Sequence, residues 1–277
     1  MASVIGLTSL LFVPGAAPQR FAKALASGAS VACIDLEDSV AEEGKQDARD
    51  AAIAAVAADP RLAVRINPVT TPAGLRDLIA IADGGAMPAL VLLAKAESPG
   101  DIAVVRGTLG EGAKIVPLIE SPAALAQTAA IAAAPGVAAM MFGGGDMAAE
   151  LGTALAWEPL RTARGVFLLG CAQAGAPTID VPYLDLDDTA GLDAETQLAK
   201  ALGFQAKAAI HPGQIATINA ALRPSADLLA EARDAQAAFD AAGGAATRFR
   251  GRMLELPVMR RYRRILAQAT GEELIDA

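Results

Sequence analysis

The segment AAMMFGGGDM, residues 138–147, joins a short apolar run to three consecutive glycines and a carboxylate. An apolar run of this length, closed by glycine, is typical of a parallel strand that is buried on both faces. Gly143, Gly144 and Gly145 allow a ligand to approach the backbone N–H groups closely, because glycine has no side chain. The pattern therefore predicts a buried strand that delivers Asp146 to a ligand site.

The segment KIVPLIES, residues 114–121, repeats this design one strand earlier and carries Glu120 near its end. Residues 121–145 contain no charged side chain, so the two acids stand alone at the ends of two apolar runs. Mg²⁺ is bound in proteins through one or two carboxylates and retains several waters. Glu120 and Asp146 are therefore the predicted ligands of a hard divalent cation such as Mg²⁺.

Eight short apolar runs alternate with segments of helical periodicity. The runs are Ser9–Val13, Val31–Ile34, Leu62–Ile66, Ala89–Leu93, Ile115–Ile119, Ala138–Phe142, Pro177–Ile179 and Ala208–Ile210. The helical segments include Gln19–Ala26, Lys45–Ala57, Ala73–Ile81 and Pro122–Ala133. This alternation predicts a (β/α)8 TIM barrel, a fold of about 200–250 residues. A doubly wound open sheet is the alternative, although the chain has neither a dinucleotide-binding glycine motif nor a Walker lysine.

Ionisable side chains follow seven of the predicted strands. They are Asp35, Glu37, Asp38, Arg65, Lys95, Glu120, Asp146, Asp180 and His211. In a barrel the C-terminal ends of all strands open onto one face, where active sites of this fold lie. Chain segments also reach solvent there, which accounts equally well for Lys95 and Asp180. Solvent exposure is a much poorer explanation for the pair Glu120 and Asp146.

Composition excludes some classes of function. The formal net charge of −8 at pH 7 disfavours nucleic acid as a partner. The two cysteines, Cys33 and Cys171, show no metal-ligand spacing and are expected to be free thiols in a reducing compartment. No basic segment precedes the apolar residues 10–13, so no signal peptide is expected. We therefore expect a cytoplasmic protein.

Hydropathy raises a membrane protein as an alternative. Hydrophobic residues make up 53% of the chain and the mean hydropathy is +0.38. The uncharged residues 121–145 are long enough to span a bilayer. They nevertheless contain Pro122 and Pro135, and much of their apolar content is alanine. Alanine-rich helices packed on a buried sheet give the same hydropathy, so no membrane partner is predicted.

The last 55 residues differ in composition from the rest. After the expected last barrel helix, Gln214–Leu222, the sequence Arg-Pro-Ser interrupts the pattern, and a further helix is predicted over Ala226–Ala242. Seven of the seventeen arginines then fall between Arg248 and Arg264. We predict a barrel over residues 1–222 and a small helical C-terminal extension over residues 223–277.

Seven segments together carry a resemblance to a known family. They are SLLFVPG (9–15), DLEDSV (35–40), VRIN (64–67), PLIES (117–121), FGGGDMAAELG (142–152), GFQAKAAIHPGQI (203–215) and GRMLELP (251–257). In this order and spacing the chain resembles the citrate lyase β-subunit and malyl-CoA lyase family, within the HpcH/HpaI aldolase superfamily. The resemblance implies a homotrimer or hexamer, with the extension packed on a neighbouring subunit. It also implies Mg²⁺-dependent cleavage or formation of a C–C bond in 3-hydroxyacyl-CoA thioesters such as malyl-CoA, citramalyl-CoA or citryl-CoA.

The resemblance also implies roles for individual residues. Glu120 and Asp146 match the metal ligands, and Arg65 matches the cation that holds the enolate or substrate oxygen. The acids of the DLED segment, which order Arg65 and metal-bound water, are Asp35, Glu37 and Asp38. The family's extension places an aspartate over a neighbouring barrel as the acid/base, and here that position is Glu255.

Two further positions depart from the family pattern. Thr8 replaces an arginine, which removes a positive charge where a substrate carboxylate or the CoA phosphates were expected, and Ala94 replaces a proline. Together with Glu255, Thr8 leaves open a metal-binding barrel that lacks lyase activity. Two other functions also stay open, namely a β-subunit that needs an acyl-carrier partner and an aldolase of free 2-oxo acids.

The expected chemistry explains why these residue types are needed. Breaking the bond between the acyl α-carbon and the carbinol carbon leaves a thioester enolate and a carbonyl compound. A metal at Glu120 and Asp146 would polarise the oxygen of a 2-oxo or 2-hydroxy acid. Arg65, with Asp35, would bind the substrate oxygen, and the backbone amides of Gly143–Gly145 its carboxylate. Proton exchange at the α-carbon needs an acid or a base. The candidates for this role are Glu255, Glu37 and Asp38.

Overall fold

The structure, a computed structural model, describes residues 6–270. Within it, residues 7–222 form one compact unit, and a second compact unit begins at Arg223. In the first unit eight parallel strands close into a barrel in sequence order, and β8 pairs with β1. The strands are β1 Ser9–Pro14, β2 Val31–Asp35, β3 Ala63–Ile66, β4 Val91–Leu93, β5 Ile115–Ile119, β6 Met140–Phe142, β7 Thr178–Asp180 and β8 Ala206–Ala209. The predicted barrel is confirmed, and the open sheet is excluded.

Helices lie between successive strands. They are α1 Phe21–Leu25, α2 Lys45–Ala58, α3 Pro72–Asp83, α4 Pro99–Leu109, α5 Pro122–Ala126, α6 Thr128–Ala132, α7 Gly144–Glu150, α8 Trp157–Ala174, α9 Thr189–Leu202 and α10 Ile215–Leu222. Three of them, α3, α4 and α5, begin with a Ser-Pro or Thr-Pro pair. The caps Thr71 and Ser121 accept a backbone N–H of the first turn, and at α4 the carboxylate of Asp101 accepts the backbone N–H of Ser98. Proline pre-sets the first helical φ in all three helices. These caps fix where each helix starts after its strand.

The uncharged segment that raised the membrane alternative folds into barrel elements. The helix predicted over Pro122–Ala133 is two short helices, because the chain tightens at Gln127, where φ is −105° and the N–H donates to Ala124. The hydroxyl of Thr128 donates to the carbonyl of Leu125 and competes with the helical pattern. Within residues 6–270, no helix is both long and apolar enough to cross a bilayer.

Apolar burial between strands and helices holds the first unit together. Every residue of β2 and β5 is buried, as expected for strands covered on both faces. Side chains that point outward from the strands, such as Ile34, Val64 and Ile119, pack against the helical layer. This rigid core leaves the loops after each strand to carry the ionisable side chains.

The second unit contains α11 Ala226–Ala241, the hairpin β9 Thr247–Phe249 with β10 Arg252–Leu254, and α12 Leu256–Thr270. The predicted helical extension is confirmed by α11 and α12, and the short hairpin between them is an element that was not predicted. Arg250 and Gly251 both have positive φ, which gives the two-residue turn that suits the twist of a hairpin. Phe239, Leu254 and Met259 are among the residues of a separate small core. The predicted domain boundary itself stays a prediction, as does packing on another subunit.

Candidate active site

Six ionisable residues gather at the C-terminal ends of β2 to β6. Asp35 ends β2, Arg65 lies in β3, Lys95 follows β4, Glu120 follows β5, and Asp146 lies in the first turn of α7. Glu37 is the sixth and lies in the loop after β2. Because the strands are adjacent in the barrel, residues distant in the sequence meet on one face. The structure thus brings together most of the predicted site residues.

Arg65 and Asp35 form a bidentate ion pair at the centre of this group. Nε and one terminal nitrogen of Arg65 donate to the two carboxylate oxygens of Asp35 at 2.6 and 2.8 Å. Burial raises the pKa of Asp35, but the hydrogen bonds and charge of Arg65 outweigh it, so this pKa lies below its ordinary value. Burial lowers the pKa of Arg65, but the carboxylates of Asp35 and Glu37 outweigh this effect. The pKa of Arg65 therefore lies above its ordinary value, and the guanidinium stays charged. The pair is a fixed, oriented cation.

Glu37 lies between two cations. One carboxylate oxygen is 3.0 Å from a terminal nitrogen of Arg65, and the other is 2.8 Å from Nζ of Lys95. Burial raises the pKa of Glu37 above its ordinary value, although Arg65 and Lys95 oppose the shift. Asp38 stands further out, 3.9 Å from each of the same two cations, with a side chain that is 62% exposed. Glu37 is therefore the better-placed acid of the two.

Lys95 connects three carboxylates. Its backbone N–H donates to Oε2 of Glu120 at 2.7 Å, and its Nζ lies 3.2 Å from Oδ2 of Asp146 as well as beside Glu37. The backbone of Lys95 is in the left-handed region, with φ of 50°, which is uncommon for a residue with a side chain. The hydrogen bond to Glu37, and then the nearby carboxylates, raise the pKa of Lys95. Solvent exposure was an adequate explanation of Lys95 in the sequence, but the structure places this residue inside the site.

Glu120 is buried in a cradle formed by the glycine run. A Cβ added at Gly143 would lie 2.1 Å from Cγ of Glu120, so only glycine fits there. Burial, followed by the charge of Glu37, raises the pKa of Glu120 to about 7, against the backbone N–H of Lys95 and the charge of Arg65. The carboxylate is therefore held in place by the backbone and lacks a full counter-charge.

Glu120 and Asp146 fit a cation that keeps most of its water. In the described part of the chain no group of three or more His, Cys, Asp or Glu side chains is arranged around a common point. Oδ2 of Asp146 and Oε2 of Glu37 are buried oxygens that lie near a cation but accept no hydrogen bond. Two carboxylates, one of which is poorly neutralised, form the kind of donor set that suits Mg²⁺ rather than a metal held entirely by protein.

The backbone N–H groups of Gly143, Gly144 and Gly145 differ in their hydrogen bonding. The N–H of Gly143 already donates to the carbonyl of Ile119 at 2.9 Å, and the role of Gly143 in substrate binding stays a prediction. Gly144 and Gly145 are the first two residues of α7, where N–H groups have no acceptor within the helix. Asp146 follows them in the first turn, not at the end of β6 as predicted, and its charge is favourable at that helix end.

Asp180 belongs to a different cluster from the predicted one. Its carboxylate accepts from Nε of Arg164 and from Nζ of Lys207, each at 2.8 Å, and all three side chains are fully buried. Nζ of Lys207 also lies 2.8 Å from Glu195 on α9. The position of Asp180 at a strand end left the active face and solvent exposure both open, but its carboxylate is buried between Arg164 on α8 and Lys207 on β8.

Thr8 lies at the opposite end of the barrel from the acids. It precedes β1, and its hydroxyl donates to Oδ1 of Asn219 at 2.6 Å. Ser9 donates to the same oxygen at 2.8 Å. The expectation that Thr8 removes a charge from the substrate site is therefore wrong, because strand ends with opposite polarity lie on opposite faces of a barrel.

A cavity of about 360 Å³ lies between β1, α1 with the residues just before it, and the segment after β8. It is lined by Leu11, Phe12, Val13, Pro14, Arg20, Lys23, Ala24, Ile210, His211 and Pro212. Phe12 is also the ring under Arg65, whose guanidinium carbon lies 4.9 Å from the ring centroid. Nδ1 of His211 accepts the N–H of Gly213, which favours a structural role for this histidine. Arg20 and Lys23 were not predicted, because their only signal in the sequence is a spacing of three residues shortly after the first strand.

Glu255 lies in the second unit, between β10 and α12, and its side chain is exposed. Its carbonyl accepts the N–H of Met259 at 2.9 Å, which fixes the start of α12. Its role as an acid/base stays a prediction.

Comparison with known proteins assigns the family. Residues 8–212 match the family model described as HpcH/HpaI aldolase/citrate lyase. The citrate lyase subunit beta-like protein of Mycobacterium tuberculosis is 36% identical over 94% of this chain and 94% of its own length. The L-malyl-CoA/beta-methylmalyl-CoA lyase of Rhodobacter capsulatus is 33% identical over 94% of this chain and 93% of its own.

Solved structures agree with this assignment. The structure of CitE from Mycobacterium tuberculosis in complex with magnesium, acetoacetate and coenzyme A is 36% identical, has a TM-score of 0.81, and covers 95% of this chain and 98% of that one. The structure of RipC from Yersinia pestis is 41% identical, has a TM-score of 0.71, and covers 80% of this chain and 98% of that one. The chain therefore belongs to the HpcH/HpaI aldolase/citrate lyase family of carbon–carbon lyases.

Proposed function

We propose that this chain is an Mg²⁺-dependent lyase that cleaves or forms the C–C bond of 3-hydroxyacyl-CoA thioesters of the malyl-, citramalyl- or citryl-CoA type. The observation that carries the proposal is the cradle in which Glu120, poorly neutralised and fixed by the Lys95 backbone, stands near Asp146 and the Arg65–Asp35 pair. A relative named as a malyl-CoA lyase and a related structure with magnesium, acetoacetate and coenzyme A support it.

Glu120 and Asp146 would hold the Mg²⁺. When bound, the ion supplies Lewis-acid polarisation of the oxygen on the oxo- or hydroxy-acid half of the substrate. The pKa of Glu120, raised to about 7 by burial, fits this role because the carboxylate is short of positive charge. Lys95 orients both acids, one through its backbone N–H and the other through its ammonium group.

Arg65 would stabilise the negative charge that develops on the thioester oxygen. Its pKa is raised, so it stays protonated, and Asp35 fixes the plane of the guanidinium through two hydrogen bonds. The side chain of Arg65 is 12% exposed. The N–H groups of Gly144 and Gly145, at the start of α7, would bind the substrate carboxylate.

Three residues are candidates for exchanging the α-proton. Glu37 has a raised pKa, which brings its protonated and ionised forms closer in energy near neutral pH. Asp38 is more exposed and lies within 3.9 Å of Arg65 and Lys95. Glu255 would act from a neighbouring subunit of a homotrimer or hexamer.

The cavity beside Phe12 supports a CoA thioester over a free oxo acid. Arg20 and Lys23 give it two cations, which suit the phosphates of the CoA tail, and apolar side chains such as Val13 and Ile210 line the rest. A free 2-oxo acid would need neither feature.

A β-subunit that works with an acyl-carrier partner is the second candidate. Four arginines of the second unit, Arg248, Arg252, Arg260 and Arg264, are exposed, and their charge would suit an acidic partner protein. We place the protein in the cytoplasm, without a nucleic-acid or membrane partner.

The test is turnover of malyl-, citramalyl- and citryl-CoA by the purified protein with Mg²⁺. Release of the 2-oxo acid measures this turnover. Glu120→Ala and Asp146→Ala should each reduce turnover by about 10³-fold or more, because each removes half of the protein's metal ligands. Glu111→Ala, which removes an exposed acid between α4 and β5, should leave turnover unchanged. No 2-oxo acid from any of the three thioesters would refute the proposal.

A further inference from the structure

A buried ion pair lies behind the loop that carries the DLED acids. Nε of Arg49, on α2, is 2.8 Å from Oδ1 of Asp77, on α3, and both side chains are buried. Burying two charges has a desolvation cost that their attraction often fails to offset, so such a pair is weak evidence for added stability. The further hydrogen bonds of Asp77 indicate that the pair instead positions neighbouring segments of the chain.

Asn67 joins this ion pair to the chain near Arg65. Oδ2 of Asp77 accepts both the backbone N–H of Asn67, at 2.9 Å, and its side-chain Nδ2, at 2.7 Å. Nδ2 also donates to the carbonyl of Leu36, inside the DLED segment, at 3.0 Å. Asp77 therefore fixes the segment that follows β3, and Asn67 extends this hold to the loop after β2.

Helix α3 approaches this segment unusually closely. A Cβ on Gly74 would lie 2.2 Å from the carbonyl oxygen of Pro68 and 2.5 Å from that of Asn67. Glycine at this position lets the helix and the segment pack backbone to backbone. Asp77 can therefore reach Asn67 from one turn further along α3.

Lys45 completes the connection. Its Nζ donates to Oδ1 of Asn67 at 2.8 Å and to the carbonyls of Leu36 and Glu37, each at 3.0 Å. These three acceptors use all three protons of the ammonium group. The charge of Lys45 is thus directed onto the backbone that carries Glu37.

The backbone of Glu37 is consequently held on both sides. Its N–H donates to Oδ1 of Asp35 at 3.0 Å, and its carbonyl accepts from Lys45. From this backbone its carboxylate reaches Arg65 and Lys95. A shift of the loop would move Glu37 and the partner of Arg65 together.

We propose that Lys45, Arg49, Asn67 and Asp77 form a positioning network that sets the place of Glu37 and Asp35 against Arg65. The inference rests on the lyase function proposed above. None of the four residues touches the reacting atoms, so the network acts on the rate of the chemical step and leaves binding of Mg²⁺ and thioester nearly unchanged.

Asn67→Ala is the main test, and Asn219→Ala is its matched control. Both are buried asparagines with three side-chain hydrogen bonds, but Asn219 bonds Thr8, Ser9 and Gly28 at the far end of the barrel. Asn67→Ala should lower kcat about 100-fold, the loss expected when a catalytic group is misplaced by about 1 Å, with KM near the wild-type value. Asn219→Ala should keep wild-type kcat despite a similar fall in Tm.

Lys45→Met is a second variant in case Asn67→Ala does not fold, and it should show the same division between kcat and KM. Mn²⁺ affinity, measured by calorimetry as a substitute for Mg²⁺, should stay unchanged in both variants. Equal losses of kcat in Asn67→Ala and Asn219→Ala at equal Tm would overturn the inference, because the effect would then follow stability alone.

Hydrogen exchange separates this inference from the function on which it rests. Amides of residues 35–40 should exchange about tenfold faster in Asn67→Ala and at the wild-type rate in Asn219→Ala, because only the first releases the loop. A wild-type protein that turns over no thioester would refute the proposed function but leave this readout intact. Unchanged exchange at residues 35–40 in Asn67→Ala would overturn the network.

Discussion

The backbone N–H of Lys95 donates to Oε2 of Glu120 at 2.7 Å from a left-handed backbone conformation, with φ of 50°. A residue with a side chain adopts this conformation at a cost, and such strain persists where the surrounding structure requires it. Here the requirement is visible, because the same residue directs its ammonium group toward Glu37 and Asp146. One residue therefore sets the positions of three acids.

This strain predicts that, at position 95, the glycine variant is more stable than the alanine variant, which is the reverse of the order expected inside a helix. Lys95→Gly should have an unfolding free energy about 0.5–1 kcal/mol higher than Lys95→Ala, because glycine adopts positive φ without a Cβ clash. Both variants lack the ammonium group, so its loss cancels in the comparison. At exposed Arg76 on α3, the Gly variant should instead be about 1 kcal/mol less stable than the Ala variant. Urea unfolding measures both pairs, and the same order at both positions would contradict the strain.

The cradle around Glu120 predicts opposite outcomes for two neighbouring glycines. Gly143→Ala should displace Glu120, because the new Cβ would lie 2.1 Å from its Cγ, and should abolish Mg²⁺ binding and turnover. Gly145→Ala should be tolerated, because nothing lies within 4 Å of its Cβ position. Calorimetric titration with Mg²⁺ and turnover assays would distinguish the two variants. Normal Mg²⁺ affinity in Gly143→Ala would exclude Glu120 as a ligand.

The raised pKa of Glu120 predicts how stability depends on pH in the presence of EDTA. The folded protein retains a proton on Glu120 up to about pH 7, whereas the unfolded chain releases it near the ordinary value of 4.5. The resulting stability is fully present below pH 4.5 and is lost as the pH rises through 7. Glu120→Gln cannot ionise, so it should gain stability relative to wild type over this range. A difference that does not change with pH, measured by urea unfolding, would contradict the shift.

The buried cluster of Asp180 predicts a large loss of stability without a direct effect on chemistry. Asp180→Asn would leave Arg164 and Lys207 buried with an unbalanced charge, and should cost about 3–5 kcal/mol of unfolding free energy. Asp59→Ala, which removes the partner of the exposed Arg61, should cost little. Thermal and urea unfolding measure both variants, and equal losses would show that the cluster adds nothing.

Acid should weaken the same cluster. Burial raises the pKa of Asp180, but Lys207 and Arg164 outweigh it, so this pKa lies below the ordinary value of 3.8. The stability from Asp180 is therefore present above pH 3.8 and is lost as the pH falls through the lower folded value. Wild type and Asp180→Asn should converge in stability on acidification, and a constant gap would contradict the assignment.

The barrel and the grouping of several site residues could be predicted because short apolar runs alternate with helical segments, and ionisable residues follow most of these runs. The bounds of β5 were predicted without error, since Glu120 follows an unbroken apolar run. The burial of Asp180 was not predicted, because its position at a strand end does not tell which way its side chain points. A site role for Lys95 could not be preferred from the sequence, because a lysine after a strand is exposed to solvent as often as it lies in a site. The hairpin was missed because its short strands, rich in arginine, carry no alternating apolar pattern.

The aromatic ring of Phe12 contacts the guanidinium of Arg65 and also lines the cavity that contains Arg20 and Lys23. If the cavity takes the tail of a thioester, the tail and the reacting end share one wall. The selectivity for the tail and the rate of the reaction would then both depend on Phe12. Replacing this ring to admit a new carrier would also disturb the guanidinium of Arg65. Homologues that change carrier should therefore alter position 12 and the surroundings of Arg65 together.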